Sequence, residues 1–152
     1  MSTFQTALDA LASITVLEIH RNYAINQLPD ALTRAQLPAL LILPLDSEKQ
    51  RFFPERGSGF ETVAFANGRK HIRYALTHLL LIAPEKSGSG LHQHLPHLIS
   101  CIDAYFLALA DDLTLDDSLL EPPQVRVETG IFDYGGVSYI GCAFRHSWLI
   151  GI

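Results

Sequence analysis

The stretch that decides the fold is PQVRVETGIFDYGGVSYIGCAFRHSWLIGI, residues 123–152. Gly135 and Gly136 stand between two runs rich in Val, Ile, Phe and Tyr, and a Gly-Gly pair supplies the positive φ angles of a type I′ turn. We therefore predict a β-hairpin in which Tyr134 lies opposite Val137. Its last strand, with Ile150-Gly151-Ile152 at the tip, is expected to be an open sheet edge. Counting outward gives one nearly continuous apolar face, which another element has to cover. That face carries Val125, Val127, Thr129, Ile131, Ile140, Cys142, Phe144, His146, Trp148 and Ile150.

The opposite face of this hairpin is mixed. The predicted register places Arg126 directly opposite Arg145, and like charges in that position repel each other. Either a bulge shifts the register near Gly130 and Gly141, or a carboxylate from elsewhere, such as one of a partner subunit, lies between the two guanidinium groups. The same face carries more aromatic side chains than a solvated surface requires, which indicates a partly wet sheet face or a protein contact surface. These aromatic residues are Phe132, Tyr134 and Tyr139.

Upstream segments supply a short helix and a buried strand. A capping Ser2 or Thr3 precedes apolar residues at helical spacing, which predicts the first helix. Residues 14–20 (ITVLEIH) are predicted to be extended. Ala39–Leu43 lies between two prolines and is too short and too apolar for a surface helix, so we predict a buried strand there.

A second hairpin is predicted at Asn67-Gly68, since this dipeptide is the strongest short hairpin signal known. The predicted pairs are Val63 with Ile72 and Glu61 with Tyr74. The second arm continues beyond the first, and we expect residues 76–83 to pair with the strand at 39–43.

A long helix follows, and Pro96 indicates that it begins near that residue. Its apolar stripe is the natural cover for the terminal hairpin. The stripe consists of Leu91, Leu95, Leu98, Ile102, Tyr105, Phe106 and Leu109. We predict one α+β domain over residues 1–152. Its mixed, largely antiparallel sheet is built from two hairpins plus one central strand, with an N-terminal helix and one long helix packed on it.

Composition excludes several classes of protein. Apolar residues make up 48% of the 152 residues and charged residues 18%, values typical of a folded globular chain. The formal net charge is −5 and there is no run of Lys or Arg, which argues against a protein that grips the DNA backbone. No apolar run is long enough for a membrane span and no secretory signal is evident, so we expect a cytoplasmic protein with buried free thiols at Cys101 and Cys142.

Catalytic and metal-binding patterns are weak. His92, His94 and His97 could serve as zinc ligands, but on a helix the first two point to different sides, so we favour a solvated helix start. The acidic residues between positions 111 and 117 lack the glycine and the closing glutamate of a calcium loop. No phosphate-binding or nucleophile motif occurs. We predict no enzymatic activity, no metal and no cofactor.

The loop over residues 46–59 (DSEKQRFFPERGSG) contains two adjacent aromatic side chains among charged ones. A monomer gains nothing by exposing Phe52 and Phe53. We therefore predict that both contact a neighbouring subunit or another protein.

The order of elements and four short strings resemble the tail terminator (tail completion) proteins of long-tailed bacteriophages. The strings are LPALLILPLD, THLLLIAP, LPHLISCIDAYFLALADD and the Tyr-Gly-Gly turn. The resemblance implies a mixed sheet with helices packed on it and a homohexameric ring that caps the finished tail tube. It implies contacts with the tail tube protein and with the head-side connector or neck protein, and DNA that passes through the lumen without specific binding. The protein would be assembled in the host cytoplasm and reside at the head-proximal end of the virion tail.

Two alternatives stay open at this point. One is another phage neck or tail tube subunit, which would use the same features. The other is a small metal-dependent hydrolase or ligand-binding α+β domain that uses His92, His94 and His97. For the assembly function, the candidate interface residues are Phe52, Phe53, Arg126, Phe132, Tyr134, Tyr139 and Arg145.

Overall fold

A computed structural model describes residues 3–43, 59–66, 69–85 and 91–151 and shows an α+β fold. The helices are α1 (Thr3–Ser13) and α2 (Leu91–Ala110). The strands are β1 (Arg21–Tyr23), β2 (Ala39–Leu43), β3 (Gly59–Ala66), β4 (Arg69–Pro84), β5 (Gln124–Tyr134) and β6 (Val137–Gly151). Two single 3-10 turns, Ile25–Gln27 and Arg34–Gln36, lie between β1 and β2.

The six strands form one mixed sheet in the order β1-β2-β4-β6-β5, with β3 beside the first half of β4. Only β1 and β2 run parallel; the other pairs are antiparallel. The 16 residues of β4 make it the central strand, because one of its edges serves both β3 and β2 and the other serves β6. The predicted pairing of residues 76–83 with β2 is confirmed by the pairs from Ala39–Leu81 to Leu43–Thr77.

The terminal hairpin has the predicted register throughout. Tyr134 pairs with Val137, and the ladder continues without a bulge to Gln124 and Ser147. Gly135 and Gly136 have φ angles of 59° and 80°, as a type I′ turn requires. The sequence determines this register because a two-residue turn leaves the strands only one way to align.

Two local expectations are wrong. Residues 14–20 form a turn rather than a strand, with Glu18 at a φ of 69° and Val16 directed into the core. The strand begins only at Arg21, where it pairs in parallel with β2. In the second hairpin Val63 does pair with Ile72, but a register shift at residue 61 places Phe60, not Glu61, opposite Tyr74.

Helix α2 begins earlier than predicted, at Leu91, and includes Pro96 in its second turn. Proline lacks the N–H that would bond to the carbonyl of His92, four residues before it. Both residues are exposed, so water can satisfy that carbonyl, and the helix tolerates the missing bond.

The strand that ends the described chain is not a sheet edge, contrary to expectation. Ile150 pairs with Ile72 and Gly151 with His71, because β4 is long enough to accompany β6 almost to its last residue. The open edge on this side of the sheet is β5, whose partner among the described residues is β6.

The main core lies between the helices and one face of the sheet. Phe144, Trp148 and Cys142 of β6 are buried there beneath Leu98 and Tyr105 of α2, which confirms the predicted cover of the terminal hairpin. A second, smaller core lies on the other face near the Gly-Gly turn. There the irregular segment of residues 23–37 packs on the sheet.

Gly141 allows β6 to approach β4 closely. A Cβ atom at this position would lie 1.9 Å from the carbonyl oxygen of Leu80, so Gly141→Ala would have to displace a backbone. We expect this substitution to lower the free energy of unfolding by about 2–4 kcal/mol in denaturant melts. Gly130→Ala is the matched control, because its Cβ would have no atom within 4 Å. Equal melting of the two variants would contradict the close approach.

Candidate functional site

The arginine pair on the sheet face is bridged by a carboxylate of its own hairpin. Arg126 does lie opposite Arg145, and Glu128 sits between them. Its Oε1 is 2.9 Å from Nη2 of Arg126, and its Oε2 accepts a 2.7 Å hydrogen bond from Nε of Arg145. The hydrogen bond from Arg145 is the main cause of the lowered pKa of Glu128. The pair therefore needs no carboxylate from a partner. The prediction that Arg126 and Arg145 lie in a subunit interface stays a prediction.

The three aromatic residues assigned to an outer contact face are covered within the subunit. Tyr139 is buried, and the Tyr134 hydroxyl donates a hydrogen bond to the carbonyl of Pro29. Phe132 and both tyrosines pack in the second core together with three leucines of the irregular segment, Leu28, Leu32 and Leu37. The segment of residues 23–37 thus occupies the surface that we had expected a neighbouring copy to cover.

The remaining predicted interface residues, Phe52 and Phe53, lie outside the described residues. The prediction that they make a protein contact stays a prediction.

The histidines considered as zinc ligands do not converge. His92 and His97 are exposed and His94 is half-buried, and all three are on the first two turns of α2. Within residues 3–43, 59–66, 69–85 and 91–151, no group of three His, Cys, Asp or Glu side chains is placed to hold a metal ion.

An acidic groove of about 530 Å³ separates α1 from the end of α2, with Asp9, Asp111, Asp112 and Asp116 in its lining. The carboxylate of Asp112 already accepts the backbone N–H of Asp116, at 2.9 Å. Within the described part of the chain, these carboxylates are not placed to hold a metal ion together. We treat the groove as a solvated surface.

A chain of buried polar side chains crosses the main core and was not predicted. Trp148 Nε1 lies 3.1 Å from His146 Nδ1, and His146 Nε2 lies 2.6 Å from the Tyr105 hydroxyl. That hydroxyl is 2.9 Å from His78 Nδ1, and His78 Nε2 is 2.8 Å from Oδ1 of Asn22. This series of hydrogen bonds thereby joins β6, α2, β4 and β1.

The donor and acceptor of every hydrogen bond in this buried series follow from the groups at its two ends, the Trp148 indole and the Asn22 amide. An indole N–H can only donate, so His146 Nδ1 accepts and the proton of the neutral ring is on Nε2. Nε2 then donates to Tyr105, whose own hydroxyl proton goes to His78 Nδ1. His78 therefore also carries its proton on Nε2 and donates to Asn22. The amide nitrogen of Asn22 donates in turn to the carbonyl of Leu11, at 3.0 Å.

Both histidines are held in the neutral form. Burial lowers the pKa of His146 to about 3, and burial followed by the nearby His146 lowers the pKa of His78 well below its usual value. Protonation of either ring would place a cation in an apolar core and would turn an acceptor nitrogen into a donor.

The arrangement is suited to holding the core together and not to catalysis. His78, Tyr105 and His146 are buried beneath the helices, where no substrate can reach them. Burial also raises the pKa of Tyr105 well above its usual value. The two thiols are equally inert, because burial raises the pKa of Cys101 to about 11 and that of Cys142 to about 12.

One signal in the sequence could have revealed part of this chain. His78 and His146 occupy inward positions in the strand alternation, between apolar neighbours. A histidine at such a position requires a buried partner. The identity of that partner could not be read from the sequence, since Tyr105 is 27 residues from His78 and 41 from His146.

One apolar surface that the described residues leave uncovered lies beside α2, over strand β5. Helix α2 packs on β4 and β6, and its flank of Leu95, Ile99 and Phe106 remains exposed. On β5, Val127 and Ile131 face the helix side and are 39% and 47% exposed. We call the exposed residues Leu95, Ile99, Phe106, Val127 and Ile131 the uncovered strip.

Neither helix among the described ranges combines the length and apolar character needed to cross a membrane. Comparisons with protein-family models, with curated proteins and with solved structures find no match for this chain.

Proposed function

We propose that this chain is a structural virion protein that caps a completed phage tail tube as a homohexameric ring and joins it to the head-side connector. The observation that carries the proposal is the agreement between the α+β fold and the architecture that the resemblance implies. A long helix lies on a terminal hairpin, and β4, the central strand and one arm of the second hairpin, pairs directly with β6 of the terminal hairpin. The proposal rests on this agreement and on the strings quoted above.

The character of the surface supports an assembly role. The buried polar side chains are inaccessible and the thiols are protonated. Among the described residues, the titratable groups whose pKa values are shifted most from the usual ones therefore belong to the core. The uncovered strip is apolar and adjoins an open strand edge, as a protein contact surface would. A net charge of −5 would also let DNA pass through a lumen without adhering to it.

Negative-stain imaging of the purified protein tests the proposal. We expect closed rings of uniform diameter with an open centre, because each subunit in a ring presents one surface and receives another. Fields of single compact particles at every protein concentration would contradict it.

The loop phenylalanines provide a second test. Changing both Phe52 and Phe53 to serine should leave the thermal midpoint of the subunit within a few degrees of the parent and should reduce the fraction of particles in rings. Phe65→Ser is the control, because Phe65 is also a large aromatic residue, 75% exposed on β3. A double variant that unfolds would place the two residues in the core and remove them from the interface.

A further inference from the structure

The open edge of β5 has a definite hydrogen-bonding pattern. In a two-residue hairpin the residues that flank the turn bond to each other, so Tyr134 and every second residue before it bond to β6. The intervening residues direct their N–H and C=O groups away from the sheet. These are Val125, Val127, Thr129, Ile131 and Asp133. Among the described residues no strand other than β6 pairs with the eleven residues of β5, and edges of this kind pair readily with another chain.

The side chains of this edge are arranged symmetrically about Thr129. Val127 precedes it by two residues and Ile131 follows it by two, and both belong to the uncovered strip. Thr129 itself is exposed on the same face. A second β5 running antiparallel, with the two-fold axis at Thr129, would set Val127 of each copy directly beside Ile131 of the other.

We propose that two copies of this chain associate through β5, edge to edge and antiparallel, with Thr129 opposite Thr129 of the second copy. This register pairs the strand over its full length: at one end Gln124 of the first copy lies opposite Tyr134 of the second, and at the other end Tyr134 of the first copy lies opposite Gln124 of the second. It provides up to about ten backbone hydrogen bonds between the two copies. No two like charges face each other in it, since Arg126 lies opposite Phe132 and Glu128 opposite Gly130.

The neighbouring registers are less favourable. A two-fold axis at Glu128 places two carboxylates opposite each other, which is destabilising. An axis at Gly130 sets the exposed Val127 against the charged Asp133, whereas the axis at Thr129 sets the half-buried Val125 there and gives Val127 an apolar partner. An axis at Val127 does bring Arg126 opposite Glu128, but it leaves Ile131 and the end of the strand near the turn unpaired. The axis at Thr129 alone combines full length with apolar partners for both exposed side chains.

This contact is separate from the one that would close a ring. A two-fold contact uses the same surface on both copies, whereas a ring requires two different surfaces. The inference therefore does not rest on the proposed function. A subunit that makes both contacts would belong to a pair of rings.

Disulfide trapping tests the contact directly. Thr129→Cys places two thiols across the two-fold axis, where the Cα atoms of a hydrogen-bonded antiparallel pair are about 5.5 Å apart, within the range of a disulfide. The native thiols do not interfere, because Cys101 and Cys142 are buried. Under mild oxidation each pair of thiols loses two protons and two electrons to the added oxidant, and we expect a covalent dimer on a non-reducing gel.

Asp133→Cys is the matched control, because it is equally exposed on the same edge. Its two copies would be about 27 Å apart in this register. We expect Thr129→Cys to cross-link at least about tenfold faster, since pairing raises the effective concentration of its thiols. Mixing Val125→Cys with Asp133→Cys should also give a covalent heterodimer, because these positions lie opposite each other.

Equal rates of disulfide cross-linking for Thr129→Cys and Asp133→Cys would show that the thiols meet by random collision, and would overturn the proposal. The absence of both the Thr129→Cys dimer and the mixed heterodimer would do the same. Circular dichroism of each variant verifies that the compared proteins are folded.

Discussion

Replacing Phe144 by alanine is expected to lower the free energy of unfolding by about 3–5 kcal/mol, the range for a large aromatic side chain removed from a core. Phe144 is fully buried and stacks on Tyr105, with ring centroids 3.7 Å apart and planes 7° from parallel. The Phe144 ring also packs edge-to-face with the Phe106 ring, with the ring centroids 5.7 Å apart. The substitution therefore leaves a cavity between β6 and α2 that the ladder on both sides of β6 prevents from closing.

Denaturant melts measure the free energy of unfolding of Phe144→Ala and, as a control, of Phe65→Ala. Phe65 is 75% exposed, so its loss should change stability by less than about 1 kcal/mol. A Phe144→Ala variant that loses less than about 1 kcal/mol would mean that the hairpin presents its other face to the helix.

Acid is expected to destabilise the protein well above the pH at which carboxylates titrate. The unfolded state binds a proton at each histidine near pH 6.5, whereas folded His78 and His146 do not because their pKa values are lowered. The contribution of the two neutral histidines to the free energy of unfolding is thus fully present above pH 6.5 and is lost as the pH decreases below it. Because the pKa of folded His146 is about 3, this histidine contributes a slope of up to about 1.4 kcal/mol per pH unit and removes roughly 2 kcal/mol between pH 6.5 and pH 4.5. His78 adds to the loss in the same direction.

A series of denaturant melts across this pH range measures the slope. His146→Gln should reduce the slope, whatever it does to stability at neutral pH, because one of the two groups no longer titrates. His97→Gln is the control, because it makes the same replacement at an exposed position of α2. The same slope in the parent and in His146→Gln would show that the buried histidine is not the source of the acid sensitivity.

The sequence predicted those parts of the fold that local rules determine. The Gly135-Gly136 turn sets the register of eleven residue pairs, and strand alternation then shows which face of β6 is apolar. The stripe on α2 identifies the element that covers this face. In each case the decisive interaction is between residues close in the chain or follows from a single periodicity.

Features that depend on distant contacts could not be predicted. Residues 14–20 have the composition of a strand, but they turn because Val16 and Ile19 pack into a core formed by other elements. The end of β6 was expected to be an open edge, since nothing local shows that β4 extends far enough to pair with it. The roles of Arg126 and Arg145 depended on whether Glu128 could reach both, which is a matter of side-chain geometry.

The aromatic residues of the outer sheet face show the same limit. Their exposure was inferred from the absence of an obvious cover, because residues 22–36 contain few periodic signals. In the fold this segment packs across Phe132, Tyr134 and Tyr139 through its leucines. The exposed apolar side chains lie instead on β5 and on the flank of α2. Among them, the sequence had assigned Val127, Ile131, Leu95 and Phe106 to the interior.

Native mass spectrometry of the unmodified protein tests the central claim, that this chain acts by assembly of its own copies, most directly. We predict a discrete assembly of six chains of 16.8 kDa each, or of twelve where the β5 contact joins two rings. Dilution should release subunits without a loss of secondary structure. A monomer as the only species at every concentration would contradict the claim.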